Sequence, residues 1–546
     1  MRGGDILIEC LKAQGVRCIF GMPGVQNSQI YDSLFRCAKG VIDHYLVRHE
    51  YAATKMADGY ARVTGEVGVA LTVPGPGASN AATGILEAFT DCVPVLLITG
   101  QSDSKFYLKD PAKMFHGLDQ MRFFEPITKY CAIFKSIEEI PVIVEQAFQA
   151  LRTGRPGPVV LEMPMDIATA EADLPIPSRV QRPAPIPPDV NDVRCALEIL
   201  KQSKMPILIA GSAVVHSNAC EDLVKLAEKL SVPVAVTRRA KGAISDSHPL
   251  ALRHTTGFMA RQAIQNADCT LAIGVRFTSI DTSNWSLEFP RPLVQIDEDS
   301  LEIGREYPCE VGVVGGLKQT LQTFLETLDT RHETWKPTLN QIREQFNTQP
   351  SLPLLPDIRE VLADDGIIAV DVHAIGYASF NEFPVDQPRN FLYPCIAVSL
   401  GYAYPAAIGA KVARPTKPVV CFSGDGGFMM GASELATAVR YGINVVAVVV
   451  NDSSLSSIKG TQQKFHEGRI IGTGLSNPDF SQYAEAFGAH GFRVKDLTKF
   501  ATILQDALKA NRPTIIEVLM KDRQNELIDY ISWLRSDPLR KFKSKN

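Results

Sequence analysis

No stretch of the 546 residues approaches the roughly 20 consecutive apolar positions of a membrane helix, so no span of that kind is expected. Basic runs are scarce as well. The chain carries 56 Lys and Arg against 60 Asp and Glu, dispersed along its length, and the net charge of −4 makes nucleic acid a poor partner. The short basic tail, Arg540 to Lys545, reads as a solvated terminus. None of the eleven cysteines forms a CxxC pair or sits in a histidine cluster. That argues against a zinc site and suits free thiols in a reducing compartment. GxGxxG after a first strand is missing too, which counts against an NAD-dependent oxidoreductase. At the N-terminus, Ile6, Leu7, Ile8 and Leu11 have amphipathic spacing and not the continuous apolar core of a signal peptide, so a cytoplasmic location is expected.

What is present is a threefold alternation of short apolar strands with helical stretches, the pattern of α/β domains with parallel sheets. A length of 546 residues is too great for one core and suits three or four. In the first segment, residues 17–21, 68–72, 94–99 and 159–162 read as strands. A proline-rich linker from Leu174 to Pro188 follows. The second segment has strands at 205–210, 232–236, 270–273 and 293–296 and ends near 328. A polar, weakly patterned connection then runs to about Pro353. The third has strands at 366–370, 419–422, 445–450 and 514–518. Its run Val445-Val446-Ala447-Val448-Val449-Val450 marks a strand buried on both faces. The expected architecture is three doubly wound domains over 1–172, 189–330 and 354–546, with chemistry at the carboxyl ends of strands.

The clearest strand-end motif is Ser423-Gly424-Asp425-Gly426-Gly427-Phe428. Its glycines would let a phosphate approach the backbone, and a helix start expected at Ala432 to Ala438 would offer free N–H groups. Asp425 is a hard oxygen ligand suited to Mg²⁺. Taken alone, the motif is better explained as a turn whose aspartate caps a helix. The next apolar strand ends in Asn451-Asp452-Ser453-Ser454. Adjacent parallel strands would bring Asp425 and Asp452 together, and two carboxylates there repel unless a cation lies between them.

Gly424-Asp425-Gly426 followed by Asn451-Asp452 resembles the signature of thiamine diphosphate-dependent enzymes. The resemblance implies that Asp425, Asp452 and the Ser454 carbonyl hold Mg²⁺. Gly424, Gly426 and Gly427 would cradle the diphosphate. Asp452 stands where the family usually has asparagine, and a carboxylate is no worse a ligand, so metal binding is expected to survive. Arg48-His49-Glu50 through Arg62 is similar to the family's segment for its cofactor-activating glutamate. By that match Glu50 bonds N1′ of the aminopyrimidine and promotes the ylide. The loop Gly75-Pro76-Gly77-Ala78-Ser79-Asn80 matches the pyrimidine side, placing Pro76, Gly77 and Asn80 near the ring. Val398-Ser399-Leu400-Gly401 matches the segment that bends the cofactor. Leu400 would be the apolar wedge and the Val398 carbonyl the acceptor for the 4′-amino group. Glutamate and metal motif fall in different domains. The family implies a homodimer or homotetramer whose active sites lie between subunits.

Across nearly the whole chain the resemblance is to acetolactate synthase large chains and their relatives. It implies ylide attack on a 2-oxo acid or acyl substrate and decarboxylation, then protonation or ligation to a second carbonyl. Some substrate-side positions depart from the pattern. Val25 stands where decarboxylases often carry Asp or Ser, and Phe115-His116 where acetolactate synthases have Phe-Gln. Gln463 replaces a usual tryptophan. His116, with a near-neutral imidazole, is a candidate proton relay; Gln26 and His373 are further candidates for the same pocket. Arg276 matches a flavin-holding arginine, which leaves FAD open. Alternatives are an enzyme of the 2-hydroxyacyl-CoA lyase or oxalyl-CoA decarboxylase type and a flavin-linked pyruvate oxidase type. A non-catalytic paralogue that keeps the scaffold is a further alternative, since fold alone does not establish activity.

Overall fold

Each of the three strand–helix repeats closes into a six-stranded, wholly parallel sheet in the computed structural model, which describes residues 1–107, 109–329, 331, 334–348 and 354–535. Arg540 to Lys545 and residues 349–353 of the second connection lie outside the described residues. The first sheet contains β1 (Cys18–Gly21), β2 (Asp43–Leu46), β3 (Gly68–Thr72), β4 (Val95–Gln101), β5 (Tyr130–Ile133) and β6 (Val159–Pro164). Their order is β2-β1-β3-β4-β6-β5. The central sheet contains β7 (Pro206–Ala210), β8 (Val234–Val236), β9 (Ala251–His254), β10 (Cys269–Ile273), β11 (Leu293–Asp297) and β12 (Val311–Val314), ordered β12-β11-β10-β7-β8-β9. The third contains β13 (Ile367–Val370), β14 (Phe391–Leu392), β15 (Val419–Gly424), β16 (Val446–Asn451), β17 (His490–Val494) and β18 (Thr514–Leu519), ordered β14-β13-β15-β16-β18-β17. The first and third sheets therefore share one topology. The central sheet has the reversal between its first and fourth strands that creates a ligand crevice in dinucleotide-binding folds.

The four strands expected from the sequence in each segment are the four inner strands of its sheet. Each sheet adds two edge strands that the apolar pattern did not reveal. β2, β5, β12 and β17 are only partly buried, and β14 is two residues long. An edge strand is covered less completely, so its residues need not form an apolar run. The polar connection after residue 328 also holds an unexpected element, the helix Lys336–Asn347. Fully buried Trp335 anchors it by donating from Nε1 to the Pro206 carbonyl at 2.9 Å. Leu339 and Ile342 continue the stripe onto the central core.

The first and third domains share one apolar core. The helix Glu50–Thr64 packs along Ala403–Ala413, and the buried cluster around them runs from Phe20 and Ala70 to Cys421 and Val449. Two glycines permit the close approach. A Cβ on Gly59 would lie 2.2 Å from the Ala406 carbonyl oxygen, and one on Gly409 only 1.9 Å from that of Met56. Among the described residues no helix is long and apolar enough to cross a membrane.

Candidate active site

Strand ends of the third sheet form the first of two clusters of candidate residues. β15 and β16 are neighbours in parallel register, Gly424 opposite Val450, so Asp425 and Asp452 emerge side by side. A helix starts earlier than expected, at Asp425, and runs to Gly431; the stretch expected from Ala432 continues as a helical turn to Glu434 and a helix Leu435–Tyr441. An acidic residue in the first turn suits the positive helix end, and Gly427 fits where a side chain would press on Asp371 Oδ1 at 3.0 Å. Asp425 accepts from the Gly426 N–H at 2.9 Å and from Asn477 Nδ2 at 2.6 Å. Burial, and then the charge of Asp452, push its carboxyl up to about 6. Asp452 accepts from the Ser454 N–H at 3.2 Å and from the Ser456 hydroxyl, and burial raises its carboxyl as well. The Ser454 hydroxyl is buried without a hydrogen-bond partner.

These residues line a cavity of about 220 Å³ together with Val398, Leu400, Gly424, Gly426, Gly427 and His373. Burial holds the His373 imidazole down at about 3, and its Nε2 is buried without a partner. Val398 adopts a left-handed φ of +52° and Gly401 one of +72°, so this segment departs from regular structure beside the cavity.

A second cluster forms at the carboxyl ends of strands in the first sheet. Glu50 opens the helix Glu50–Thr64, and Asn80 Nδ2 donates to its Oε2 at 3.0 Å. Asn80 is the fifth residue of the helix Pro76–Thr90, whose N-cap Gly75 has φ +59°. A Cβ on Gly77 would lie 3.3 Å from Glu50 Oε1, and one on Gly75 2.6 Å from the His116 carbonyl oxygen. Glu50, Gly77, Asn80, Pro76 and the His116 backbone are thus gathered at one sheet edge. His116 is left-handed (φ +55°), stacks on Phe115 at 4.0 Å, and has a buried Nδ1 without a partner. Gln26 is buried with its Oε1 unpartnered, and its carbonyl lies against Gly100. Val25 is exposed on the turn that also holds Gln26, and Gln463 is exposed on the helix Ser456–Phe465.

Two contributors escaped the sequence reading. Asn477 bridges the strand ends, donating to Asp425 and, at 3.1 Å, to Asn451 Oδ1. Glu434 of the third domain accepts from the Arg48 and His49 N–H groups, at 2.9 and 3.0 Å, and so fixes the start of the helix that bears Glu50. Neither lies in a local motif that marks it.

Family models meet the chain at all three domains. The thiamine pyrophosphate enzyme N-terminal binding domain matches residues 1–123, the central domain 193–324, and the C-terminal binding domain 374–518. A probable acetolactate synthase large subunit of Methanocaldococcus jannaschii is 34% identical, covering 95% of this chain and 92% of its own. The acetolactate synthase large subunit of Haemophilus influenzae is 32% identical over 96% and 95%. The isozyme 3 large subunit of Escherichia coli is 32% identical over 95% and 94%. The chain belongs to the thiamine pyrophosphate enzyme family.

The donor set fits the cofactor of that family. Among the described residues no three His, Cys, Asp or Glu side chains gather as a ready-made metal cage. Two adjacent carboxylates suit Mg²⁺ bound jointly with phosphate oxygens. No Lys or Arg appears among the cavity-lining residues, and a divalent cation would offset the charge of a diphosphate beside Asp425 and Asp452. The glycines leave open the space a phosphate would take.

In the central domain, the crevice where the strand order reverses opens into a second cavity of about 360 Å³. Gly211 and Gly274 meet at its base, where a Cβ on Gly211 would lie 1.8 Å from the Gly274 carbonyl oxygen. Arg155 crosses from the first domain to Asp297, Asp299 and Glu302 at 3.4–3.6 Å. Arg276 donates to the Thr90 carbonyl at 2.8 Å and to the Cys92 thiol at 3.0 Å, so here it joins the central domain to the first.

Proposed function

We propose that this chain is a thiamine diphosphate- and Mg²⁺-dependent acetolactate synthase-type enzyme. It would decarboxylate a 2-oxo acid and transfer the remaining acyl unit to a second carbonyl. The observation that carries this reading is the pair of strand-end constellations, Glu50 with Asn80 and Asp425 with Asp452, in a chain aligned with acetolactate synthase subunits over almost its full length. When bound, the cofactor supplies a nucleophilic carbon and an electron sink for decarboxylation.

The chain's own groups hold and poise that chemistry. Asp425, Asp452 and the Ser454 carbonyl would carry the metal, with Asn477 orienting Asp425. Gly424, Gly426 and Gly427 admit the diphosphate. Val398 would offer its carbonyl to the pyrimidine amino group, and Leu400 its apolar side chain to the space between the rings. Glu50, oriented by Asn80, would hold the proton at the pyrimidine nitrogen, beside Pro76 and Gly77. His116 and Gln26 bring buried, unpartnered polar atoms that a substrate carboxylate or carbonyl would satisfy. The metal-side cavity is lined by third-domain residues only, which supports a homodimer or tetramer in which a partner brings its Glu50.

The test is to incubate purified protein with thiamine diphosphate, Mg²⁺ and a panel of 2-oxo acids, with and without a second carbonyl acceptor, and to identify products by mass spectrometry. A branched 2-hydroxy-3-oxo acid is the expected product. An aldehyde alone would shift the reading to a decarboxylase, and no consumption of any 2-oxo acid would overturn it. The visible spectrum of the same sample reports whether FAD is bound.

A further inference from the structure

Residues 393–402, between β14 and the helix Ala403–Ala413, have little regular structure of their own and are held by side chains from elsewhere. Asp91 accepts from the Cys395 and Ile396 N–H groups at 2.9 and 3.1 Å. Asp371 accepts from those of Gly401 and Ala403 at 3.1 and 3.0 Å. Between these clamps lie Ser399 and Leu400, and here the partner is unusual. Lys55 is fully buried in the helix that begins with Glu50. Its ammonium donates to the Leu400 carbonyl at 3.1 Å, to Ser399 Oγ at 2.9 Å and to the Tyr51 hydroxyl. Those bonds use all three of its donors. Tyr51 itself donates to the Leu400 carbonyl. The Ser399 hydroxyl donates to Glu87 Oε2 at 2.7 Å, and Glu87 also accepts from the Ser399 N–H at 3.2 Å.

Burying an ammonium without a carboxylate in direct contact is costly, and an apolar side chain would fill this space more cheaply. Burial holds Lys55 down at about 8 and Glu87 up at about 7, which registers that cost. What the lysine gains is control of one irregular turn, with Val398 left-handed on one side and Gly401 on the other. None of the roles assigned above uses Lys55 or Glu87.

We propose that Lys55 is a positioning residue of the cofactor site. Through the Leu400 carbonyl and the Ser399 hydroxyl, the latter shared with Glu87, it fixes where the Val398 carbonyl and the Leu400 side chain stand. The inference rests on the reading that this segment faces thiamine diphosphate.

The test is thiamine diphosphate titration of metal-loaded apoprotein, followed by protein fluorescence, with circular dichroism of the bound cofactor as a second readout. The proteins compared are wild type, Lys55→Met, Ser399→Ala and the double variant Lys55→Met/Glu87→Gln. Lys55→Met should weaken cofactor binding about tenfold or more, the scale of a lost charge-assisted hydrogen bond, and alter the dichroism. Ser399→Ala should act in the same direction and decides the matter if Lys55→Met does not fold. The double variant also removes the charge of Glu87, which faces Lys55 along with Asp371 and Asp58, so it should regain part of the thermal stability while its affinity stays weak. Wild-type affinity and dichroism in Lys55→Met or Ser399→Ala, or affinity that returns with stability in the double variant, would overturn the positioning role alone. A wild-type protein that binds no thiamine diphosphate would overturn the cofactor reading and this inference together.

Discussion

At the residue scale, the site is a balance of buried acids. Asp425 and Asp452 emerge side by side, and the charge of Asp452 helps to raise the Asp425 carboxyl, while Lys459 offsets part of the charge at Asp452. Asp452→Asn should raise the melting temperature measured in EDTA, by about 1 kcal/mol of stability, while leaving Mg²⁺-dependent cofactor binding in place. A lower melting temperature would show the pair to be otherwise satisfied. Glu434 gives a pH signature. Burial raises its carboxyl from 4.5 to about 7, so the folded state holds this proton more tightly than the unfolded chain. Its contribution is full below pH 4.5 and is lost as pH rises through about 7, an effect of at most roughly 3 kcal/mol. Glu434→Gln cannot titrate. Between about pH 5 and pH 8 the wild type should therefore lose more stability than the variant, which paired thermal melts would reveal. Motif residues such as Glu50, Asp425 and Asp452 were legible because their local patterns are distinctive. Asn477 and Glu434 were not, because each reaches its partner across the fold from an ordinary stretch of sequence.

Elements tell the same story through burial. The inner strands announce themselves as apolar runs because both faces are covered, as in Val446–Asn451. Edge strands such as Asp43–Leu46 and His490–Val494 carry polar residues on surfaces that remain partly open, and nothing in their composition separates them from loops. The helix Lys336–Asn347 escaped notice for a related reason: its apolar positions are few and wait for Trp335 to seat them. Close packing of Glu50–Thr64 on Ala403–Ala413 was also invisible, since a glycine gives no sign of what it approaches. Gly409→Ala places a methyl group 1.9 Å from a backbone oxygen, so one of the two helices must shift. A net loss of about 1–3 kcal/mol is expected in denaturant unfolding, the clash outweighing a helix-propensity gain of about 1 kcal/mol. An unchanged midpoint would mean the two helices can separate freely.

At the scale of the whole molecule, two sheets of one topology flank a central sheet of another, and the cofactor residues divide between the outer two. The outer domains share a core within the chain, yet the metal-side cavity draws its lining from the third alone. Sites completed by a partner subunit make a specific prediction. Glu50→Gln and Asp425→Asn proteins, each strongly impaired, should regain part of the wild-type activity when dissociated together and reassociated, because each mixed dimer holds one site with an intact Glu50 and an intact Asp425. No recovery, with mixed dimers demonstrated by mass, would place both groups in one subunit's site.

The most direct test compares wild type with Glu50→Gln for thiamine diphosphate binding and for 2-oxo acid turnover in the same preparation. The variant should fold, bind the cofactor with Mg²⁺, and turn over at least about 100-fold more slowly, the loss expected when a group that handles a proton is removed. Turnover at the wild-type rate would contradict the account.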